Sequence, residues 1–457
     1  MPVYFAPLAL LPDGWAGNVR IETTHAGDIA GVIKDAVANG AETIAGIVIP
    51  GMVDVHCHAF QRAMAGLAER AGPEGDNFWS WREVMYRFLA RLSPDDVEAI
   101  AAQLYVELLK QGYTTVAEFH YLHNDPAGNP YAEPAELAER ILAAAGASGI
   151  GLTLLPVLYQ SSNFGGRPPT QGQRRFVMTT ERFNALVERL VRRHGRDRQV
   201  RIGVAPHSLR AVPPNALEES TTALTGLDET APIHIHVAEQ TKEVDDCLAW
   251  SGKRPVEWLL EHATIDRRWC LVHCTHINDA ETRALAASGA VAGLCPTTEA
   301  NLGDGLFPLP GYFAAGGRFA IGTDSNVATS PVEELRWLEY AQRLFHRARN
   351  LTEKTLGAST GAFLFHGALA GGTQASGRPV GAIAVGRRAD VVALDSEHPA
   401  LAGRHGDQIL DSWIFSGNST PVRDVMVGGQ WLVRDGTHVH EEQAAAAYRR
   451  VVKNLVA

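Results

Sequence analysis

The chain is poor in cysteine. Its 457 residues include five, Cys57, Cys247, Cys270, Cys274 and Cys295; so sparse and odd a set argues against a disulfide framework and for reduced thiols in the cytoplasm. Basic residues are not in surplus either. Lys and Arg total 41 against 51 Asp and Glu, a net charge of −10, and no basic patch stands out, so neither nucleic acid nor an acidic membrane is an expected partner. No apolar run approaches the length of a bilayer span, and the opening MPVYFAPLALLPDGW lacks the basic region of a secretory leader. Internal repeats at solenoid periods and low-complexity tracts are also missing. What remains is a globular composition, 46% apolar and 20% charged, long enough for one large domain and a smaller one.

Eight short apolar runs recur between helical patterns. They span residues 45–58, 114–122, 149–159, 199–208, 232–239, 270–276, 291–297 and 318–325. Most are nearly continuous, as strands buried on both faces should be. The segment SPDDVEAIAAQLYVELLKQG between two of them has Ser93 as a plausible N-cap, Pro94 at the first helical position and Gly112 to close it. TTERFNALVERLVRRHG has the same capped, amphipathic character. Strand–helix alternation repeated eight times predicts an α/β fold, a (β/α)8 TIM-like barrel over 49–376. The flanks, 1–48 and 377–440, carry short turn-bounded strands such as NVRIETT and DVMVGGQWLVRDG. Neither is large enough for its own core, so the economical expectation is one small β-sandwich domain built from both chain ends. A last helix is expected over 441–457.

Active sites of such barrels lie at the C-terminal ends of the strands. The first run ends in VDVHCH, where His56 and His58 point to the same side and Cys57 away. The fourth ends in Pro206-His207-Ser208-Leu209-Arg210, the fifth in His236-Val237-Ala238-Glu239, and the eighth in Gly322-Thr323-Asp324-Ser325; the sixth carries His273. A lone strand histidine is more often a hydrogen-bonded core residue. So many titratable groups at one mouth would be costly to bury without a cation, and the mixture of imidazole and carboxylate suits zinc or iron. Cys270, Cys274 and His276 lack a second CxxC-type pair, so a structural zinc knuckle is set aside. His234 and His236 share a face; His236 lies nearer the strand end and anchors the HxxE spacing. Of His273 and His276, opposite parity lets only one face inward.

PGMVDVHCH, the HxxE after an apolar strand, LVHCTHI and GTDS, with GRRADVVALD near the end, together resemble the amidohydrolase superfamily, in particular its hydrolytic deaminases. The resemblance covers nearly the whole chain. It implies His56, His58, His236 and Asp324 as ligands of one divalent metal, zinc first and Fe2+ as the alternative, with Glu239 and His273 handling protons. It also selects His273 over His276, which is expected in the following loop. A catalytic zinc lowers the pKa of a bound water to about 7; Asp324 can take that water's proton, and Glu239 can relay one to a leaving nitrogen, which must be protonated to depart. No lysine at a barrel-strand end suggests a carboxylated bridge, which favours one metal over two.

The segment HAFQRAMAGLAE, followed by FWSWRE and FHYLHND, is similar to the N-formimino-L-glutamate deiminases of histidine degradation. That resemblance implies Gln61, Arg82, Tyr121, His207 and Arg210 as substrate contacts; His123-Asn124 departs from the HH of relatives. A dicarboxylate with an amidine-like head would suit these residues. Arginine matches a carboxylate with a bidentate fork: Arg210 is expected in the loop after the fourth strand and Arg82 in the loop after the first, among Trp79 and Trp81. The rival readings are a deaminase of guanine or a related heterocycle and, from another class, a non-catalytic barrel that binds rather than reacts. The expected partner is a small-molecule dicarboxylate, and a homodimer is left open.

Overall fold

Gly51 divides the first apolar run between two sheets. Ahead of it lie β1 (Val3–Leu11), β2 (Gly14–Thr23), β3 (Ile29–Ile33), β4 (Glu42–Thr43) and β5 (Ile47–Pro50), all in one sheet. After it, β6 (Met52–Cys57) opens the barrel. The expectation of one barrel strand over 45–58 is therefore corrected: Ile47 and Val48 pair with Leu8 and Ala9, outside the barrel. Both halves are fully buried, so apolar character runs unbroken through the crossing and hides it. Only glycine fits there, since a Cβ on Gly51 would stand 2.2 Å from the Thr114 side chain. The computed structural model describes residues 1–72, 75–353 and 355–456; Ala457, the end of the expected last helix, lies outside them.

The barrel continues through β7 (Tyr113–His120), β8 (Gly151–Leu158), β9 (Val200–Ile202), β10 (Ala205–Pro206), β11 (Ile233–Val237), β12 (Trp269–His273), β13 (Val291–Leu294) and β14 (Arg318–Ile321). Strands β9 and β10 both run parallel to β8 and together fill one barrel position. Bridges Val204–Ile233 and Ser208–His236 join that position to β11, and the bridge Cys57–Asp324 closes the ring. Every neighbour pairing in the barrel is parallel. Each of the eight apolar runs supplies one position.

Then β15 (Val391–Leu394), β16 (Val422–Val427), β17 (Gln430–Arg434) and β18 (Thr437–His438) return to the first sheet, in the order β18-β17-β16-β15-β5-β1-β2-β3 with β4 beside β1. Both ends of the chain thus share one sheet, curled so that Tyr4 meets Trp431 edge to face at 5.9 Å. Strand alternation divides its side chains. Val48, Val391 and Ala393 enter the sheet's own core, while Ile47, Ile49, Val392 and Leu394 pack into the barrel's.

The helices follow their sequence signals. Ser93 caps Pro94–Gln111 in a reciprocal box with Asp96, and Gly112 ends it at φ +102. Thr179 caps Thr180–His194. The last helix, Glu441–Val456, packs against Pro94–Gln111. No helix among the described residues is long and apolar enough to cross a membrane. The excursion after β6, a 3-10 turn Ala59–Met64 and the helix Phe78–Leu89, lies at the strand ends. It supplies Gln61, Arg82 and Met85 to the cavity described next.

Candidate active site

His56 is the last residue but one of β6 and His58 lies just beyond the strand; the Nδ1 of His58 lies 2.9 Å from the Phe119 carbonyl. His236, on β11, has its Nδ1 3.0 Å from the His207 carbonyl. A carbonyl only accepts, so both Nδ1 atoms carry the hydrogen and both Nε2 atoms present lone pairs. These converge. His56 and His236 bring their Nε2 atoms to 3.0 Å, and Asp324 Oδ1 stands 3.5 Å from His56 Nε2 and 3.3 Å from His58 Nε2. One donor atom from each of the four residues lies within 4.8 Å of every other.

The four residues fit a metal. Burial depresses all three imidazoles, His56 to about 3, so they are neutral donors. Burial raises the Asp324 carboxyl, but a hydrogen bond with His56 and the charge of His273 outweigh it and hold the group below the usual range. Buried lone pairs and a carboxylate aimed at one point need a cation between them, and an N/O set of this kind suits zinc or iron. His273, Cys295 and Asp324 also bring donor atoms within 4.8 Å. That group is a poor alternative, because burial keeps the Cys295 thiol far above its ordinary range and His273 is cationic.

The charge on His273 has visible causes. Burial opposes it, but Glu239, a hydrogen bond to Glu299 and Asp324 prevail and push the imidazole up to about 10. Its Nδ1 lies 3.2 Å from Glu299 Oε1, and its Nε2 3.9 Å from Glu239 and 3.7 Å from Asp324. Glu239 is buried, which raises its carboxyl despite His273 and Arg210. Three of the turns here are left-handed at non-glycine residues: Ala238 (φ +54), His273 (+70) and Asp324 (+50). Such backbone is strained and concentrates where side chains must be re-aimed at a functional site.

A cavity opens above this cluster. Its lining includes all five residues expected to touch substrate, with His58, His236, Glu239, His273 and Asp324; His56 lies behind them. Gln61 Nε2 donates to the Tyr121 hydroxyl at 2.8 Å, and the Oε1 of Gln61 is buried without a partner among the described residues. His207 packs edge-on to Tyr159 at 4.7 Å. Arg82 lies on the helix Phe78–Leu89, not in a plain loop as expected, with its guanidinium 4.5 Å from the Trp79 ring; that of Arg210 is 5.8 Å from the same ring. The open choices between histidines also find physical answers. His234 Nε2 bonds the Ala375 carbonyl at 2.8 Å, and His276, beyond the strand, bonds the Asp304 carbonyl at 2.8 Å. His123 turns to the Val157 carbonyl, away from the cavity.

Four acids escaped the sequence reading. Asp54 accepts the backbone N–H of His56 at 3.2 Å and, from Thr323, the N–H at 3.1 Å and the hydroxyl at 2.6 Å. Glu118 accepts the Ala59 N–H at 2.9 Å and the Tyr105 hydroxyl at 3.1 Å. Burial, opposed by these hydrogen bonds, pushes both carboxyls up to about 7. Glu299 orients His273, and Glu243 lies behind Glu239. Asp54 shares strand parity with His56 and His58, a signal within the motif itself; Glu299 stands just past the seventh run.

The chain belongs to the amidohydrolase family, whose profile matches residues 47–432. A second profile, formimidoylglutamate deiminase HutF, N-terminal domain, matches residues 1–45. Over the full length of both chains the protein is 55% identical to formimidoylglutamate deiminase of Pseudomonas aeruginosa. The crystal structure of an amidohydrolase from Brucella melitensis superposes with a TM-score of 0.95 at 50% identity, covering all of both chains. An adenosine deaminase from Xanthomonas campestris with bound zinc shares the fold at TM-score 0.82 and 20% identity, over 99% of this chain and 98% of that one.

Proposed function

We propose that the protein hydrolyses N-formimino-L-glutamate to N-formyl-L-glutamate and ammonia, a step of histidine degradation, with zinc as its metal and the cytoplasm as its compartment. One observation carries the reading: His58, His236 and Asp324 of the donor cluster, backed by His56, line a single cavity with Arg82 and Arg210. The Nε of each arginine is buried and has no hydrogen-bond partner among the described residues, as befits donors reserved for carboxylates. The 55% identity to a formimidoylglutamate deiminase supports the choice of substrate. Five unpaired cysteines agree with a reducing compartment.

A metal held by those four residues would supply Lewis acidity and an acidified water. The chain's own groups do the rest. Asp324, kept anionic, can receive the first proton. Glu239, whose carboxyl is raised, can pass protons to the terminal formimino nitrogen. Cationic His273 faces the oxygen as it gains charge. The water oxygen joins the formimino carbon, the bond from that carbon to the terminal nitrogen breaks, and both water hydrogens leave with ammonia. Arg82 and Arg210 hold the carboxylates, with Gln61, Tyr121 and His207 along the wall between.

An ammonia-release assay against formiminoglutamate, formiminoglycine, guanine and adenosine tests this. Turnover of formiminoglutamate is expected to exceed the others by orders of magnitude. Turnover of guanine without formiminoglutamate would overturn the substrate assignment.

A further inference from the structure

Arg210 is not free in the cavity. It lies between two buried carboxylates, with Nη2 3.7 Å from Glu239 Oε2 and Nε 3.7 Å from Glu243 Oε2. Both separations exceed the 2.7–2.9 Å or so of a charge-assisted hydrogen bond. The guanidinium is therefore retained by charge without its donors being consumed. Glu239 has work in the reaction; Glu243 touches nothing that reacts, yet its side chain is completely buried. An acid buried so deeply must be held in place by partners.

Glu243 has three. Besides Arg210, it accepts the backbone N–H of Ala238 through Oε1 at 3.2 Å and that of Glu239 through Oε2 at 3.3 Å. Those two amides belong to the left-handed kink at Ala238, which turns the chain from β11 into the helix Thr241–Ser251. Glu243 lies in the first turn of that helix. Its carboxylate thus clamps the strained turn that aims Glu239 and draws Arg210 back from it. Without this second anion, Arg210 would close onto Glu239 alone. That would fill the donors a substrate carboxylate needs and hold Glu239 in an ion pair.

We propose that Glu243 is a positioning residue of this site, sharing Arg210 with Glu239 so that the guanidinium stays open to a substrate carboxylate. The proposal rests on the formiminoglutamate reading. Wild-type protein that released no ammonia from formiminoglutamate would defeat that reading alone, so the test begins from an active wild type. Glu243→Gln loses the charge and keeps one oxygen, enough for one of the two clamped N–H groups. Its KM for formiminoglutamate should rise about tenfold with a smaller fall in kcat, at unchanged metal content. In the double variant with Arg210→Met, the KM should match that of Arg210→Met alone, because the second anion has no guanidinium left to hold. Glu243→Asp, which restores the charge on a shorter stem, should recover part of the KM loss and covers the case in which Glu243→Gln does not fold. Kinetics of Glu243→Gln within twofold of wild type would overturn the proposal. So would a lowered melting temperature with KM unmoved, or KM losses that multiply in the double variant.

Discussion

The donor cluster and the arginine pair face each other across one cavity, yet the chain builds them by different means. The cluster stands on barrel strands. His56 and His236 lie on β6 and β11 and Asp324 follows β14; carbonyl groups orient His58 and His236, and the backbone of Asp324 bonds His56 and His58 at 2.8 and 3.0 Å. The arginines stand on the helix Phe78–Leu89 and on the loop after β10, and what holds them is ring faces and charge at 3.7 Å and beyond. Donor atoms that must meet one ion are fixed by hydrogen bonds to a rigid scaffold. The groups proposed to receive a ligand keep their hydrogen-bonding capacity unspent. Rigidity and availability are thus separated along one cavity.

That contrast can be broken from either side. His236→Ala should cost the most: metal content well below one per chain and activity lower by about four orders of magnitude, read by elemental analysis and ammonia release. Full activity in a metal-poor His236→Ala protein would end the metal reading. Glu239→Gln should retain the metal while kcat falls by roughly 10²- to 10⁴-fold, the usual range for a proton-transfer group. Arg82→Met should act on the other end, raising KM by about ten- to a hundredfold; if metal were lost instead, the two ends would not be separable. The mildest change is Asp54→Asn. By loosening the strand that presents His56, it should weaken metal retention against a chelator by about tenfold, with KM little altered.

The same contrast explains how much could be read beforehand. Strand parity and position relative to an apolar run yielded a pool of strand-end groups that includes His56, His58, His236 and Asp324, because a barrel places strand ends on a circle; the family resemblance singled out those four as ligands. Family resemblance, not spacing, yielded Arg82 and Tyr121, since no local pattern tells a guanidinium in an excursion which way it turns. Glu243 was missed for a related reason: four residues past Glu239, it reads as an ordinary acid in the first turn of a helix. Asp54 was legible in principle but stood in the shadow of the histidines beside it. The crossing at Gly51 was missed because both neighbouring sheets demand the same apolar residues, although the Pro50-Gly51 pair marks it.

The closure of the barrel has a consequence for how the protein comes into being. Strands β6 and β14 meet where Asp54 binds Thr323, positions 269 residues apart in the chain. His56 and His58 stand on one side of that seam and Asp324 on the other. A ribosome-bound chain that has not yet emitted its eighth strand therefore holds only part of the ion's cage, however well the earlier strands have formed. Such long-range joining is slow. Metal capture should coincide with the last stitch of the ring, making the ion a witness that the hoop has been completed.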